Sequence, residues 1–330
     1  MTSSGEPPLV ALASGLTVPN FFIVGHSKSG TTALYEMLRR HPQIHMPDQK
    51  EPWFFCTDAW PRFRPRMAGV GPQTLERYLA LFSGAEPGQR VGEASSSYLW
   101  SAVAAERIAA LQPQARIVAI LREPVSFLQS LHLQLVQDHI EWEKDFRKAI
   151  SLEPQRRQGK RVPRRSHRPQ LLMYSEYVHY VEQLRRYYKV FTPEQVLVLI
   201  YDDFKSENEA TVRTVLRFLE VDDTHQVESM QVNPTVRTRS LQLDEMVHAI
   251  TVGRGPLSRV VKAGVKVFTP RTLRHDALRL TLGRVVRAAP KAPDERFMLE
   301  LRHRFKGEVQ ALSEFMDRDL VRLWGYEDVK

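Results

Sequence analysis

The chain has 330 residues, a formal net charge of +9 at pH 7 and a hydrophobic fraction of 42%. This length suffices for one large α/β domain or two small ones, and the composition is ordinary for a globular protein. The only cysteine, Cys56, excludes an internal disulfide and favours a reducing compartment. No apolar stretch is long enough to span a bilayer, and no basic segment precedes the apolar run 9–16, so we expect a soluble, cytoplasmic protein.

The positive charge raises the question of a nucleic-acid partner. The sequence contains no nucleic-acid motif, no zinc-ligand cluster and no pattern of aromatic residues interleaved with basic ones. A protein that binds a highly anionic nucleotide also needs cations, which is the simpler explanation of the charge. We therefore predict that nucleic acid is not a partner.

The first predicted elements form a phosphate cradle. Residues 1–18 are small and polar, as in a flexible tail. An apolar strand follows at 21–24, then a loop that contains Gly25 and Gly30, and a helix that begins at Thr31–Thr32. In this arrangement the free amides and the dipole at the helix start face an anion.

The glycine spacing matches that of a Walker A loop, but the chemistry differs. Thr31 occupies the position of the Walker lysine, and Lys28 lies inside the loop instead. The next convincing strand, 116–121, ends in Arg122 and not in an aspartate that would hold Mg²⁺. Two cations without a metal-binding aspartate indicate a nucleotide that is handled without a metal ion.

The phosphate loop and two motifs further along the chain together resemble one protein family. Lys28-Ser29-Gly30-Thr31-Thr32 resembles the 5′-phosphosulfate loop of sulfotransferases that use 3′-phosphoadenosine 5′-phosphosulfate (PAPS). Arg122-Glu123-Pro124 with the downstream Ser130 is similar to the 3′-phosphate motif of that family. Lys50-Glu51-Pro52-Trp53-Phe54-Phe55 resembles the K-E-x-H-F-F stretch of its heparan-type and related bacterial members. The resemblance runs from about Phe21 to Trp324.

The resemblance implies roles for these residues. Lys28 would neutralise the charge that develops on the leaving phosphate oxygen. The donor's 5′ end would be held by Ser29, Gly30, Thr31 and Thr32, and its 3′-phosphate by Arg122 and Ser130. Glu51 would take the proton of the acceptor hydroxyl, although a surface glutamate paired with Lys50 is the simpler alternative.

Departures from the family pattern affect the acceptor side. Trp53 stands where the family has His, so a role that rests on that His cannot be transferred; with Phe54 and Phe55 it forms a wall of the acceptor cleft or part of the core. In Gly92-Glu93-Ala94-Ser95-Ser96, similar to the G-E-K-[ST]-P segment, Ala94 replaces Lys and Ser96 replaces Pro. Glu93 is the second candidate for the base, and its alternative role is a hydrogen bond to the phosphate loop.

Several later segments carry predictions of their own. Tyr201 ends an apolar strand at 196–201 and either lines the adenine pocket or belongs to the core. The stretch 232–241 resembles the loop that closes over PAPS, where Arg237 and Arg239 would reach phosphates. The basic stretch 153–169 is expected to be an exposed loop or lid, and 253–291 a basic helical region suited to an anionic membrane surface, a lipid acceptor or ordinary surface packing.

Together these patterns predict a single α/β, P-loop-like domain over residues 19–330. Its parallel sheet contains 21–24, 116–121 and 196–201, with helices on both faces and the ligand at the carboxyl ends of the strands. Helices are expected near 75–82, 102–112, 171–190, 207–219 and 294–323. The predicted function is metal-independent transfer of a sulfuryl group from PAPS to a hydroxyl of a lipid, glycan or natural product. The alternatives are a P-loop kinase or NTPase, and a non-catalytic nucleotide-, membrane- or nucleic-acid-binding protein.

Overall fold

The fold is built on a five-stranded sheet in which every pairing is parallel. The computed structural model describes residues 15–58, 71–163, 169–228 and 294–329, together with the backbone of two short strands at 237–238 and 287–288. The strands of the sheet are β1 (Phe21–Ile23), β2 (Ile44–His45), β3 (Arg90–Ala94), β4 (Arg116–Leu121) and β5 (Val196–Ile200). Their order is β2-β3-β1-β4-β5, which places β1 at the centre.

Helices connect and cover these strands. In chain order the described helices are α1 (Thr31–Arg39), α2 (Leu75–Leu79), α3 (Ala104–Leu111), α4 (Pro124–Gln137), α5 (Phe146–Ser151), α6 (Glu153–Arg157), α7 (Tyr180–Tyr188), α8 (Tyr201–Ser206), α9 (Asn208–Phe218), α10 (Glu295–Phe315) and α11 (Leu320–Leu323). Pro124 opens α4, where its missing N–H costs nothing, and the Glu123 carboxylate accepts from the amides of Val125 and Ser126. This cap fixes the point at which β4 turns into α4.

Two hydrophobic cores lie on opposite faces of the sheet. Side chains alternate along each strand, so Phe21 and Ile23 pack with α1 and α9. Phe22 and Val24 point the other way and pack with α3, α4, α7 and α10. The central strands are buried on both faces, which explains their nearly uninterrupted apolar sequences. The predicted α/β fold with helices on both faces is confirmed.

The basic stretch 153–169 begins as a helix and not as the predicted loop. Arg156 on α6 forms an ion pair with Glu141 at 2.7 Å, and neither side chain is exposed to solvent. The Tyr174 hydroxyl also donates to Glu141. An arginine that looks solvated in the sequence is therefore buried, because a carboxylate distant in the chain compensates its charge. Residues 164–168 lie outside the described ranges.

Other predicted helices differ in extent. The stretch 171–190 is divided into two 3₁₀ turns, Pro169–Leu172 and Tyr174–Val178, before α7 begins. The final stretch is interrupted between α10 and α11, where Asp317 has a φ of 48°. Of the region 253–291, the structure describes only the backbone of Arg287–Ala288, a strand that pairs antiparallel with Arg237–Thr238 and is not helical.

Within the described ranges, no helix is long and apolar enough to cross a membrane. In the same part of the chain, no three side chains of His, Cys, Asp or Glu gather as ligands for a metal ion.

Candidate active site

The candidate site lies at the carboxyl end of the sheet, where β1 turns into α1. Lys28 and Gly30 adopt left-handed backbone conformations, with φ angles of 67° and 91°. Gly30 is the N-cap of α1, and no side chain in the described part of the chain caps the helix. The buried Ser29 hydroxyl also has no hydrogen-bond partner among the described residues. Free helix amides beside an unpartnered buried hydroxyl fit an anionic group such as phosphate.

Gly25 sets the position of this loop against β4. A Cβ atom at Gly25 would lie 2.5 Å from the Ile120 side chain and 2.6–2.7 Å from its backbone oxygen and nitrogen. Any larger residue would push the phosphate loop away from the neighbouring strand. The first glycine of the motif is thus required by packing, and not by its backbone angles.

Lys28 is half-buried in the phosphate loop between β1 and α1. Burial, followed by the positive charge of Arg122, lowers the pKa of Lys28 from its usual value. Asp138, which follows α4, opposes this effect. The ammonium is therefore influenced by a second cation and by a carboxylate, in a half-buried site where water screens charge less than at the surface. Such a group is well placed to stabilise new negative charge.

Arg122 connects the end of β4 to the phosphate loop. Its Nη1 donates to the Lys28 carbonyl oxygen at 2.9 Å, and its guanidinium lies 4.8 Å from the centre of the Tyr201 ring. The Tyr201 ring also lies beside Gly30, since a Cβ there would meet it at 3.3 Å. The structure thus brings together Lys28, Gly30, Arg122 and Tyr201 from the ends of three strands.

The remaining predicted donor contacts are described less fully. Ser130 is buried within α4, on the helix that Arg122 leads into. Only the backbone of Arg237 is described, in a two-residue strand, and Arg239 lies outside the described residues. Their predicted contacts with phosphates stay predictions.

Glu51 lies in a loop with a constrained backbone. Glu51 and Trp53 both have positive φ angles, 60° and 53°. Non-glycine residues adopt this conformation at a cost, and such residues concentrate at functional sites. The Glu51 amide donates to the Ala94 carbonyl oxygen at 3.0 Å, and the Trp53 amide donates to Ser95 Oγ at 3.1 Å. The carboxyl end of β3 therefore holds the loop in place.

The Glu51 carboxylate accepts four hydrogen bonds. Its Oε1 accepts from Lys50 Nζ at 2.5 Å and from Ser96 Oγ at 2.9 Å. Its Oε2 accepts from Trp53 Nε1 at 2.8 Å and from the Ser96 amide at 2.9 Å. The pairing with Lys50 was anticipated from the sequence, but the two other donor residues were not. An ionised carboxylate held by four donors is fixed in one orientation.

The aromatic residues after Glu51 divide into two groups. The Trp53 ring is partly buried and directs its indole N–H to Glu51, which makes it part of the site. Phe54 and Phe55 are buried, and both rings pack against Tyr78. They belong to the core and not to a wall of the cleft.

Glu93 is buried in β3, and its hydrogen bonds are to two tyrosines and not to the phosphate loop, which was its predicted alternative role. Its Oε2 accepts from the hydroxyls of Tyr78 at 3.0 Å and Tyr98 at 2.8 Å. Its Oε1 has no hydrogen-bond partner in the described part of the chain. Burial raises the pKa of Glu93 to about 7, and the negative charge of Glu51 adds to this shift against the effect of nearby hydroxyls.

This raised pKa predicts how stability changes with pH. The folded chain binds the Glu93 proton more tightly than the unfolded chain, so its contribution to stability is complete below about pH 4.5 and is lost as the pH rises to about 7. Relative to Glu93→Gln, the wild-type chain is expected to lose about 3 kcal/mol of unfolding free energy over this interval. Urea unfolding at several pH values measures the difference, with the exposed Glu106→Gln as the control that keeps the wild-type slope. Parallel pH curves for wild type and Glu93→Gln would contradict the prediction.

Comparisons with known proteins agree with this geometry. Residues 19–225 match the model of a protein family described as the sulfotransferase family. A solved sulfotransferase from Alicyclobacillus acidocaldarius is 31% identical, with a TM-score of 0.57, and the match covers 71% of this chain and 91% of that one. Carbohydrate sulfotransferase 15 of Mus musculus is 25% identical over 248 residues, which are 61% of this chain and 44% of that protein.

A second curated relative is similar over a shorter segment. Heparan sulfate glucosamine 3-O-sulfotransferase 6 of Mus musculus is 34% identical over 138 residues, covering 37% of this chain and 35% of that protein. The chain spans less than half the length of these two curated relatives. The family match covers more than half of the chain, and the bacterial structure is matched over most of its length. The chain therefore belongs to the sulfotransferase family.

Proposed function

We propose that this protein transfers a sulfuryl group from PAPS to a hydroxyl group of an acceptor. The observation that carries the proposal is the uncapped start of α1, with the unpartnered Ser29 hydroxyl and with Lys28 and Arg122 beside it. Such a cradle fits a phosphate, and its two cations suit a nucleotide that bears more than one anionic group.

At the donor side, the residues of the phosphate loop have separate tasks. Ser29, Gly30, Thr31 and Thr32 bind the 5′ phosphosulfate through amides and hydroxyls at the start of α1. Arg122 and Ser130 bind the 3′-phosphate, and Tyr201 lies against the Arg122 guanidinium on the same side. Lys28 stabilises the negative charge on the bridging oxygen as the bond to sulfur breaks.

At the acceptor side, Glu51 removes the proton. As the acceptor oxygen bonds to sulfur, its O–H bond breaks and the proton passes to a Glu51 oxygen. The bond between sulfur and the bridging oxygen breaks, and adenosine 3′,5′-bisphosphate (PAP) leaves. Lys50 and Trp53 hold the carboxylate in one orientation before this step.

The acceptor class is supported only by the relatives. Two of them are named as a carbohydrate sulfotransferase and a heparan sulfate glucosamine 3-O-sulfotransferase. We propose a hydroxyl-bearing acceptor, with a glycan, a lipid or a natural product as candidates. A cytoplasmic location, with contact to membrane surfaces when the acceptor is a lipid, is proposed with it.

The choice of nucleotide tests the donor assignment. PAP at a concentration about 100-fold above its Kd is expected to raise the melting temperature by about 5 °C. AMP is expected to stabilise the chain far less, because it lacks the phosphate that Arg122 would contact. Thermal shift measurements with PAP, AMP and ATP make the comparison.

The matched variant for this experiment is Arg122→Gln. It is expected to reduce the shift with PAP towards the shift with AMP while the shift with AMP changes little. Equal stabilisation of the wild-type chain by PAP and AMP would contradict the roles of Arg122 and Ser130. A larger shift with ATP and Mg²⁺ than with PAP would favour a kinase or NTPase.

A further inference from the structure

Ser96 contacts both oxygens of the Glu51 carboxylate. Its amide donates to Oε2 and its hydroxyl donates to Oε1, each at 2.9 Å. Ser96 is itself buried, just beyond the end of β3, while Glu51 belongs to a loop far away in sequence. Ser96 alone therefore donates a hydrogen bond to each oxygen of the carboxylate.

These two hydrogen bonds depend on the residue type at position 96. In the G-E-K-[ST]-P segment that this stretch resembles, a proline stands at the position of Ser96. Proline has neither an N–H nor a hydroxyl, so it can make neither of these two hydrogen bonds. The departure from the pattern therefore creates the contacts with Glu51.

The two carboxylate oxygens differ in how firmly their donors are fixed. Oε2 is held by the Ser96 amide, which belongs to the backbone, and by the Trp53 indole, whose N–H is fixed in the plane of the ring. Oε1 is held by the Ser96 hydroxyl, whose hydrogen can turn about the Cβ–Oγ bond, and by the Lys50 ammonium. A hydroxyl can also turn from donor to acceptor without moving its oxygen. Oε1 is therefore the oxygen that can be freed for chemistry.

We propose that Ser96 is a positioning residue for the base: its amide fixes Oε2, and its hydroxyl turns away from Oε1 when the acceptor hydroxyl enters. Oε1 then receives the acceptor proton. The inference rests on the proposed function, because it assigns Glu51 the role of base.

The expected effects on kcat follow from losing one or both of the hydrogen bonds from Ser96 to Glu51. Ser96→Ala keeps the amide and is expected to lower kcat about 10-fold, and Ser96→Pro removes both donors and is expected to lower it about 10²-fold, the scale of a misplaced catalytic group. The KM for PAPS stays near the wild-type value in both variants. Ser96→Thr keeps the hydroxyl and restores most of the activity.

The decisive test is a double-mutant cycle measured by transfer from sulfur-labelled PAPS. If Ser96 acts through Glu51, Ser96→Ala lowers kcat in the wild-type background and has little further effect in Glu51→Gln. The control is Ser83→Ala, whose exposed hydroxyl donates to the Ala80 carbonyl, and it leaves kcat unchanged. Rescue of kcat by Ser96→Thr, compared with its loss in Ser96→Ala, decides the case if Glu51→Gln is too slow to measure.

The outcomes separate this inference from the proposed function. If the wild-type chain transfers label and Ser96→Ala has the same kcat, the positioning role of Ser96 is overturned. An equal loss of kcat in both backgrounds overturns it as well, because Ser96 then acts independently of Glu51. If the wild-type chain transfers no label from PAPS to any acceptor in cell extracts, the proposed function fails, and this inference fails with it.

Discussion

Glu51→Gln is expected to lower turnover by about 10²–10⁴-fold, the range for losing a general base. Glutamine keeps the size of the side chain and one of its acceptor oxygens, so Trp53 and the Ser96 amide retain a partner. It cannot take a proton from the acceptor. Transfer of label from PAPS measures turnover, and calorimetry measures PAP affinity, which should remain nearly unchanged.

Glu93→Gln is the matched control, because Glu93 is the other carboxylate near the acceptor side. Its buried position between two tyrosine hydroxyls predicts a much smaller loss of turnover than in Glu51→Gln. If turnover survives Glu51→Gln but falls in Glu93→Gln, the base is Glu93. If both variants lose affinity for PAP, the two carboxylates are structural.

Lys28→Ala is expected to lower turnover by about 10²-fold or more, as when a charge partner of a transition state is removed. The reason is that negative charge increases on the bridging oxygen only as the bond to sulfur breaks. PAP binding should weaken by a smaller factor, since the amides of α1 and the Arg122 guanidinium remain. Single-turnover transfer and calorimetry separate the two effects.

Lys189→Ala is the control for this loss of positive charge. Lys189 is exposed at the end of α7 and should tolerate the change without loss of activity. If Lys28→Ala weakens PAP binding and lowers kcat/KM by the same factor while kcat is unchanged, Lys28 contributes uniform binding and not transition-state stabilisation. Wild-type turnover in Lys28→Ala would remove the lysine from the mechanism.

Strands with apolar sequences on both faces were predictable from the chain alone. The run Arg116–Leu121 coincides with β4, and the predictions for β1 and β5 extend one residue too far. β3 was not predicted as a strand. Its sequence, Arg90 to Ala94, contains Gly92 and the buried Glu93, so it lacks the apolar signal of its neighbours. The hydroxyls that donate to Glu93 come from Tyr78 and Tyr98, 15 and 5 residues away along the chain, with no fixed spacing that the sequence could show.

The same limit explains what was missed in the site. The spacing of the phosphate loop was visible because its function depends on local backbone geometry. Ser96 and Trp53 were visible only as departures from motifs, and Trp53 also as an aromatic residue that could line the cleft. Their hydrogen bonds to Glu51 arise when the end of β3 packs beside the Glu51 loop. Contacts of this kind have no periodicity or spacing in the sequence.

Arg122 lies next to Lys28, as its hydrogen bond to the Lys28 carbonyl oxygen shows, and this proximity has a thermodynamic consequence for the nucleotide site. The positive charge of Arg122 is one of the causes that lower the pKa of Lys28, after burial. An anion that pairs with Arg122 weakens this repulsion, so the ammonium of Lys28 holds its proton more tightly. Protonation at one end of the site and anion binding at the other are therefore linked equilibria. Affinity for the nucleotide should fall in alkaline solution as Lys28 loses its proton.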